Sequence, residues 1–65
     1  MNAMNVLRRP EVEKRVQLST ATIYRMIAEG KFPKQIRLGA RSVGWLESDI
    51  NDWLNDLKKQ TETAA

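Results

Sequence analysis

The sequence predicts a mainly α-helical domain of three helices with one small β-hairpin. Three observations carry this. Helix-start signals stand at Pro10, Ser19 and Ser48, each ahead of apolar residues at helical spacing. Between the second and third of these the hydrophobic period drops to two, over 35–38 and again over 43–45. The chain has 65 residues with no cysteine and no histidine, so one apolar core must hold it together without disulfide or zinc.

The elements follow in order. Residues 1–9 read as an extended N-terminal segment whose Leu7 tucks onto the core. Pro10 suits the first helical turn, where its missing N–H costs nothing. Glu11 and Glu13 favour the positive end of the helix dipole. Val12 and Val16, four apart, share one face. A short first helix over 10–16 results.

Ser19 is the N-cap of the second helix, since its hydroxyl can accept from a free N–H two or three residues on. Leu18 before it and Ile23 within it have the spacing of a hydrophobic staple. Gly30 supplies the left-handed stop. At 100° per residue, Ile23 and Ile27 point inward, with Thr20 and Tyr24 on one flank and Met26 on the other. Ala21, Thr22, Arg25, Ala28 and Glu29 point outward.

After Phe32-Pro33, Gln35 to Leu38 alternates polar and apolar, and so does Val43 to Trp45. Gly39 to Ser42 connects them. This predicts a hairpin with Ile36, Leu38, Val43 and Trp45 inward and a basic tip. Ser48 then caps a third helix, with Ile50, Trp53, Leu54 and Leu57 as its buried stripe. The domain is thus expected over 10–59, with 60–65 as a frayed tail.

The net charge is +3, but it is unevenly placed. Residues 1–46 carry +6 and residues 47–65 carry −3. A basic half of this kind suits phosphate contact. Catalysis has little to work with, because the commonest general base and the best nucleophile are missing. Asp49, Asp52 and Asp56 read as the solvated face of a helix, so no enzyme, cofactor, metal or small-molecule substrate is expected. No apolar run approaches the roughly 20 residues of a membrane span, and no signal peptide is visible. A soluble cytoplasmic protein is the expectation.

Two short helices, a brief turn and a basic hairpin make a winged helix-turn-helix, three helices plus a two-stranded wing. Its second helix belongs in the major groove of double-stranded DNA. Thr20, Ala21, Thr22 and Arg25 are the candidates for base edges, where an arginine can fork onto guanine and methyl groups can meet thymine. Tyr24, Arg37, Arg41 and Ser42 are the candidates for the backbone or a neighbouring minor groove. Ser19 and Lys34 complete the set.

The stretch Leu18-Ser19-Thr20-Ala21-Thr22-Ile23-Tyr24-Arg25 through Gly30-Lys31-Phe32-Pro33 resembles the AlpA family of phage and prophage regulators. The similarity continues through Ile36 to Gly39, Val43-Gly44-Trp45, Ser48-Asp49-Ile50 and Trp53-Leu54, and covers about residues 5–57. The resemblance implies a winged-helix fold related to MerR-like and excisionase DNA-binding domains, with the recognition helix over 20–29 and the wing over 35–43. It implies a bacterial or phage-encoded transcriptional regulator. An excisionase-like factor that bends attachment-site DNA beside an integrase is the alternative, and a protein-interaction module a second one. RNA polymerase and further copies of the chain on DNA are the other expected partners. Gln17 departs from the family, where glycine is common, and is strained if that turn needs a positive φ.

Overall fold

The computed structural model describes residues 5–64, with side chains to residue 62. The expected segment 1–9 therefore lies partly, and residue 65 of the expected tail wholly, outside the described residues. The order is β1 (Val6–Leu7), α1 (Arg9–Val16), α2 (Thr20–Ala28), β2 (Ile36–Arg37), β3 (Val43–Leu46) and α3 (Glu47–Ala64). It is the expected mainly helical, winged helix-turn-helix arrangement, with one addition. The wing has three antiparallel strands, in the order β1-β3-β2, not two. The extended N-terminal segment joins it by pairing Val6 with Leu46 and Leu7 with Trp45.

The core draws on β1, α1, α2, the connection after α2, β3 and α3. Leu7, Val12, Ile23, Phe32, Trp45 and Ile50 are buried, and Val16, Leu18, Met26, Ile27, Trp53 and Leu54 pack around them. Trp45 is the largest fully buried side chain. Deleting a buried tryptophan side chain costs about 3–5 kcal/mol. A chain this long has only about 3–10 kcal/mol in total, so this one ring decides whether the domain folds.

The strand register corrects the expected hairpin faces. Residues directly opposite one another across an antiparallel pair share a face. Arg37 opposes Val43 and Ile36 opposes Gly44. Val43 and Trp45 thus share the core face with Leu7, while Ile36 lies on the outer face with Val6. Leu38, expected inward, is 42% exposed. Gly44 is the floor of this outer face. A Cβ there would stand 2.7 Å from Val6 Cγ1 and 2.9 Å from the Leu7 carbonyl oxygen, so only glycine lets β1 close on β3.

The third helix also differs from expectation. It begins at Glu47, straight out of β3, and Ser48 lies inside its first turn instead of capping it. The Glu47 N–H donates to the Asn5 carbonyl at 2.9 Å, so strand pairing does the work of a cap. Where a tail is expected from residue 60, the helix runs on to Ala64. Leu57, expected on the buried stripe, is 40% exposed because the core ends at Leu54.

Glu47 joins three elements. Its carboxylate accepts from the Asn5 side-chain amide at 2.9 Å and pairs with the Arg15 guanidinium at 3.0 Å. The Asn5 hydrogen bond holds its pKa below the ordinary value against desolvation, with the charge and hydrogen bond of Arg15 adding to the lowering. A lowered folded-state pKa stabilises the fold above the unfolded value of about 4.3 and is lost as pH falls through the folded one. Urea midpoints measured from neutral pH downward are therefore expected to decline less steeply below about pH 4.3 in Glu47→Gln than in the parent. Equal slopes would show that the clasp contributes nothing.

The α1–α2 turn carries strain. Gln17 is the C-cap of α1 at φ 59°, ψ 38°. A side chain in that left-handed region costs about 1–2 kcal/mol, partly offset by its own amide donating to the Lys14 carbonyl at 2.7 Å. Gln17→Gly is expected to raise the unfolding free energy by about 1 kcal/mol, read from thermal or urea melts. Gln17→Ala, which keeps the Cβ and loses the amide, gives no gain. Stabilisation by alanine equal to that by glycine would refute the strain.

Candidate nucleic-acid interface

The surface of interest begins at the N-terminus of α2. Ser19 has extended backbone, and its hydroxyl accepts the Thr22 N–H at 3.2 Å, the N-cap bond expected of it. The same hydroxyl donates to Thr22 Oγ1 at 3.0 Å. Ser19 is therefore committed to closing the helix end. Thr20 is half-buried and turned toward α1, and its hydroxyl donates to the Glu13 carboxylate. Two of the sequence-predicted base contacts thus have hydroxyls engaged within the fold, Thr20 as donor to α1 and Thr22 as acceptor from Ser19.

The rest of the outward face is open. Ala21 and Arg25 are exposed, Thr22 is half-buried, and Tyr24 at the rim is 37% exposed. Ile23 is fully buried and Ile27 packs against the core, so the face rises no higher than the alanine and threonine side chains except at Arg25 and Tyr24. Gly30 takes φ 74° just past the C-cap, as its place in the sequence predicts.

A short connection leads from α2 to the wing, and it is tightly fastened. Phe32 is buried, with its ring 4.7 Å from Trp53 and 6.5 Å from Trp45, edge-on to both. The Trp53 indole N–H donates to the Lys31 carbonyl and the Trp45 indole N–H to the Pro33 carbonyl, each at 2.9 Å. Sequence reasoning placed both tryptophans inward but missed these bonds. A buried indole needs an acceptor, yet nothing local in the sequence says which carbonyl supplies it.

The wing presents the remaining candidates. Lys34 is exposed on the connection, Arg37 on β2 and Arg41 on the loop. Two backbone bonds to the Ser42 carbonyl, from Leu38 at 2.7 Å and Gly39 at 3.3 Å, close that loop tightly around Arg41. Ser42 itself is half-buried.

The electrostatics separate the basic residues. Arg9 pairs with Glu13, Arg15 with Glu47 and Lys31 with Glu29. Among the described residues Arg25, Lys34, Arg37 and Arg41 have no acidic partner within 4 Å. Arg8, Lys14 and Lys58 have no acidic partner within 4 Å either, so freedom from acids alone does not define a surface. Arg25, Lys34, Arg37 and Arg41 follow one another along the chain, from α2 through the connection to the wing. Asp49, Asp52 and Asp56 on α3 line an open groove together with Phe32 and Trp53, and Lys31 and Lys34 border the same groove. Among the described residues no group of acids could hold a metal ion, and no helix is long and apolar enough to cross a membrane.

The family model described as prophage CP4-57 regulatory protein (AlpA) matches residues 5–58. The chain is 37% identical over 60 residues to the DNA-binding transcriptional activator AlpA of Escherichia coli (strain K12), across 83% of this chain and 86% of that protein. It is 46% identical over 48 residues to the uncharacterized protein ORF88 of Enterobacteria phage P4, across 74% of this chain. That overlap takes in 54% of the phage protein, so the chain spans about half the length of that relative. The matched region runs from the first strand of the wing through most of α3, and on this ground the chain belongs to the AlpA family of prophage regulatory proteins.

Proposed function

We propose that this chain is a sequence-specific transcriptional regulator that binds double-stranded DNA, with α2 in the major groove and the wing on the adjacent groove or backbone. The observation that carries the reading is the row of unpaired cations, Arg25, Lys34, Arg37 and Arg41, along a low helix face and the hairpin beside it. Cations left without internal partners are free to take phosphates and release counterions. The E. coli relative's name as a DNA-binding transcriptional activator supports the same reading.

Within it, Arg25 reads guanine, Ala21 meets a thymine methyl, and Thr22 bonds a base edge. Tyr24 reaches the backbone with its hydroxyl. Lys34, Arg37, Arg41 and Ser42 hold phosphates or the minor groove and keep α2 in register. Ser19 supports the helix end that faces the backbone. Selection of bound duplexes from a random pool, followed by footprinting on the recovered site, tests the whole. Recovery of no preferred sequence would defeat it.

Arg25→Ala is expected to cost about 1–3 kcal/mol on the recovered duplex and to relax preference at one base pair. A uniform loss on all sequences would make Arg25 a phosphate clamp. Arg41→Ala is expected to lower the slope of log K against log salt by about 0.9, measured by titration at several salt concentrations. An unchanged slope would remove the loop from the contact surface.

A further inference from the structure

The contact between α1 and α2 is of two kinds. Val12 and Val16 on one side and Ile23 on the other supply apolar packing, which is non-directional and lets one helix roll on the other. Among the described residues, the Thr20 hydroxyl to the Glu13 carboxylate is the one hydrogen bond between these helices. The acceptor is itself held. Arg9 Nε lies 3.6 Å from the same carboxylate oxygen, Glu13 Oε2. The Glu13 carbonyl accepts the Gln17 N–H at 2.8 Å and so closes the last turn of α1. Side chain and backbone of this residue thus both fasten the turn that carries α2.

Roll matters at this place. A side chain about 5 Å from the helix axis moves by about 2 Å for a roll of about 20°. A hydrogen bond to a base edge does not survive such a shift.

We infer that Glu13 is a positioning residue for DNA recognition: through Thr20 it fixes the roll of α2 and so aims Ala21, Thr22 and Arg25, while Thr20 itself reads no base. The inference rests on the proposed function and deepens it.

The test uses the full chain and the duplex recovered by selection, with a scrambled duplex as reference. Hydrogen bonds to charged groups are worth enough to give about a tenfold effect. Glu13→Ala and Thr20→Val are each expected to lower the cognate-to-scrambled affinity ratio about tenfold, and the double variant no further. Glu13→Gln, whose amide oxygen still accepts the Thr20 hydroxyl, is expected to keep the ratio within about twofold. The salt slope stays unchanged in Thr20→Val, since neither a charge nor a phosphate contact is altered there.

Additive losses in the double variant would overturn the inference. So would an unaltered ratio in both single variants, or relaxation by Thr20→Val at one base pair alone, which would make Thr20 a reader. If Glu13→Ala does not fold by circular dichroism, Thr20→Ser against Thr20→Val decides. Retention by serine and loss by valine support the inference, and equal behaviour overturns it. A wild-type chain that selects no duplex overturns the proposed function first, before any variant is compared.

Discussion

Phe32 sits edge-on between Trp45 and Trp53, and their two indole N–H groups hold the carbonyls on either side of it. This fastening links the end of α2, the central strand and α3 at one point. Each aromatic pair adds about 0.5–1.5 kcal/mol beyond its burial, and each indole bond about 1 kcal/mol. Those sums are large for a chain of 65 residues. Their geometric effect is larger still. Without them the connection from Lys31 to Gln35 would be a free loop, and the angle between α2 and the wing would be unset. A surface that spans both elements needs that angle.

The turn on the other side of α2 is built differently. There a strained residue, Gln17, stands at positive φ, and polar side chains from α1 secure the helix that follows. The two ends of α2 are thus held by unlike means, aromatic burial at the C-terminus and a carboxylate at the N-terminus. The first is insensitive to salt and pH. The second depends on charge, in the part of the molecule that carries the candidate DNA contacts.

Charge pairing sorts the basic residues of the fold. Asp49, Asp52 and Asp56 of α3 border the groove at Phe32 and Trp53, and Glu47 at the start of α3 turns to Asn5 and Arg15. Cations that serve the fold are paired with Glu13, Glu29 and Glu47. Arg25, Lys34, Arg37 and Arg41 are left open. The sorting costs little stability, because exposed pairs contribute only about 0–1 kcal/mol each.

Much of this was legible in the residues alone. Ser19 as a cap, Gly30 as a stop, the burial of Ile23 and the existence of all three helices follow from local rules of capping, φ preference and period. The candidate surface was legible to a similar extent, since Ala21, Arg25, Lys34 and Arg41 are exposed as their positions on helix and hairpin predict. What the sequence could not show depends on partners far away in the chain. Leu38 lies outward because register is set by which residues pair, and pairing Arg37 with Val43 moves Ile36 and Leu38 to the other face. Ser48 lost its capping role because Asn5, 42 residues from Glu47, reached the helix start first. The Thr20 hydroxyl turned toward α1 because Glu13 offered an acceptor. The sequence by itself determined the elements and the sign of each surface, since these follow from neighbours within one or two turns. The third strand of the wing, the faces of its sheet and the commitments of single hydroxyl and indole groups were decided by tertiary structure, because a hydrogen bond needs a particular partner and only the folded chain supplies it.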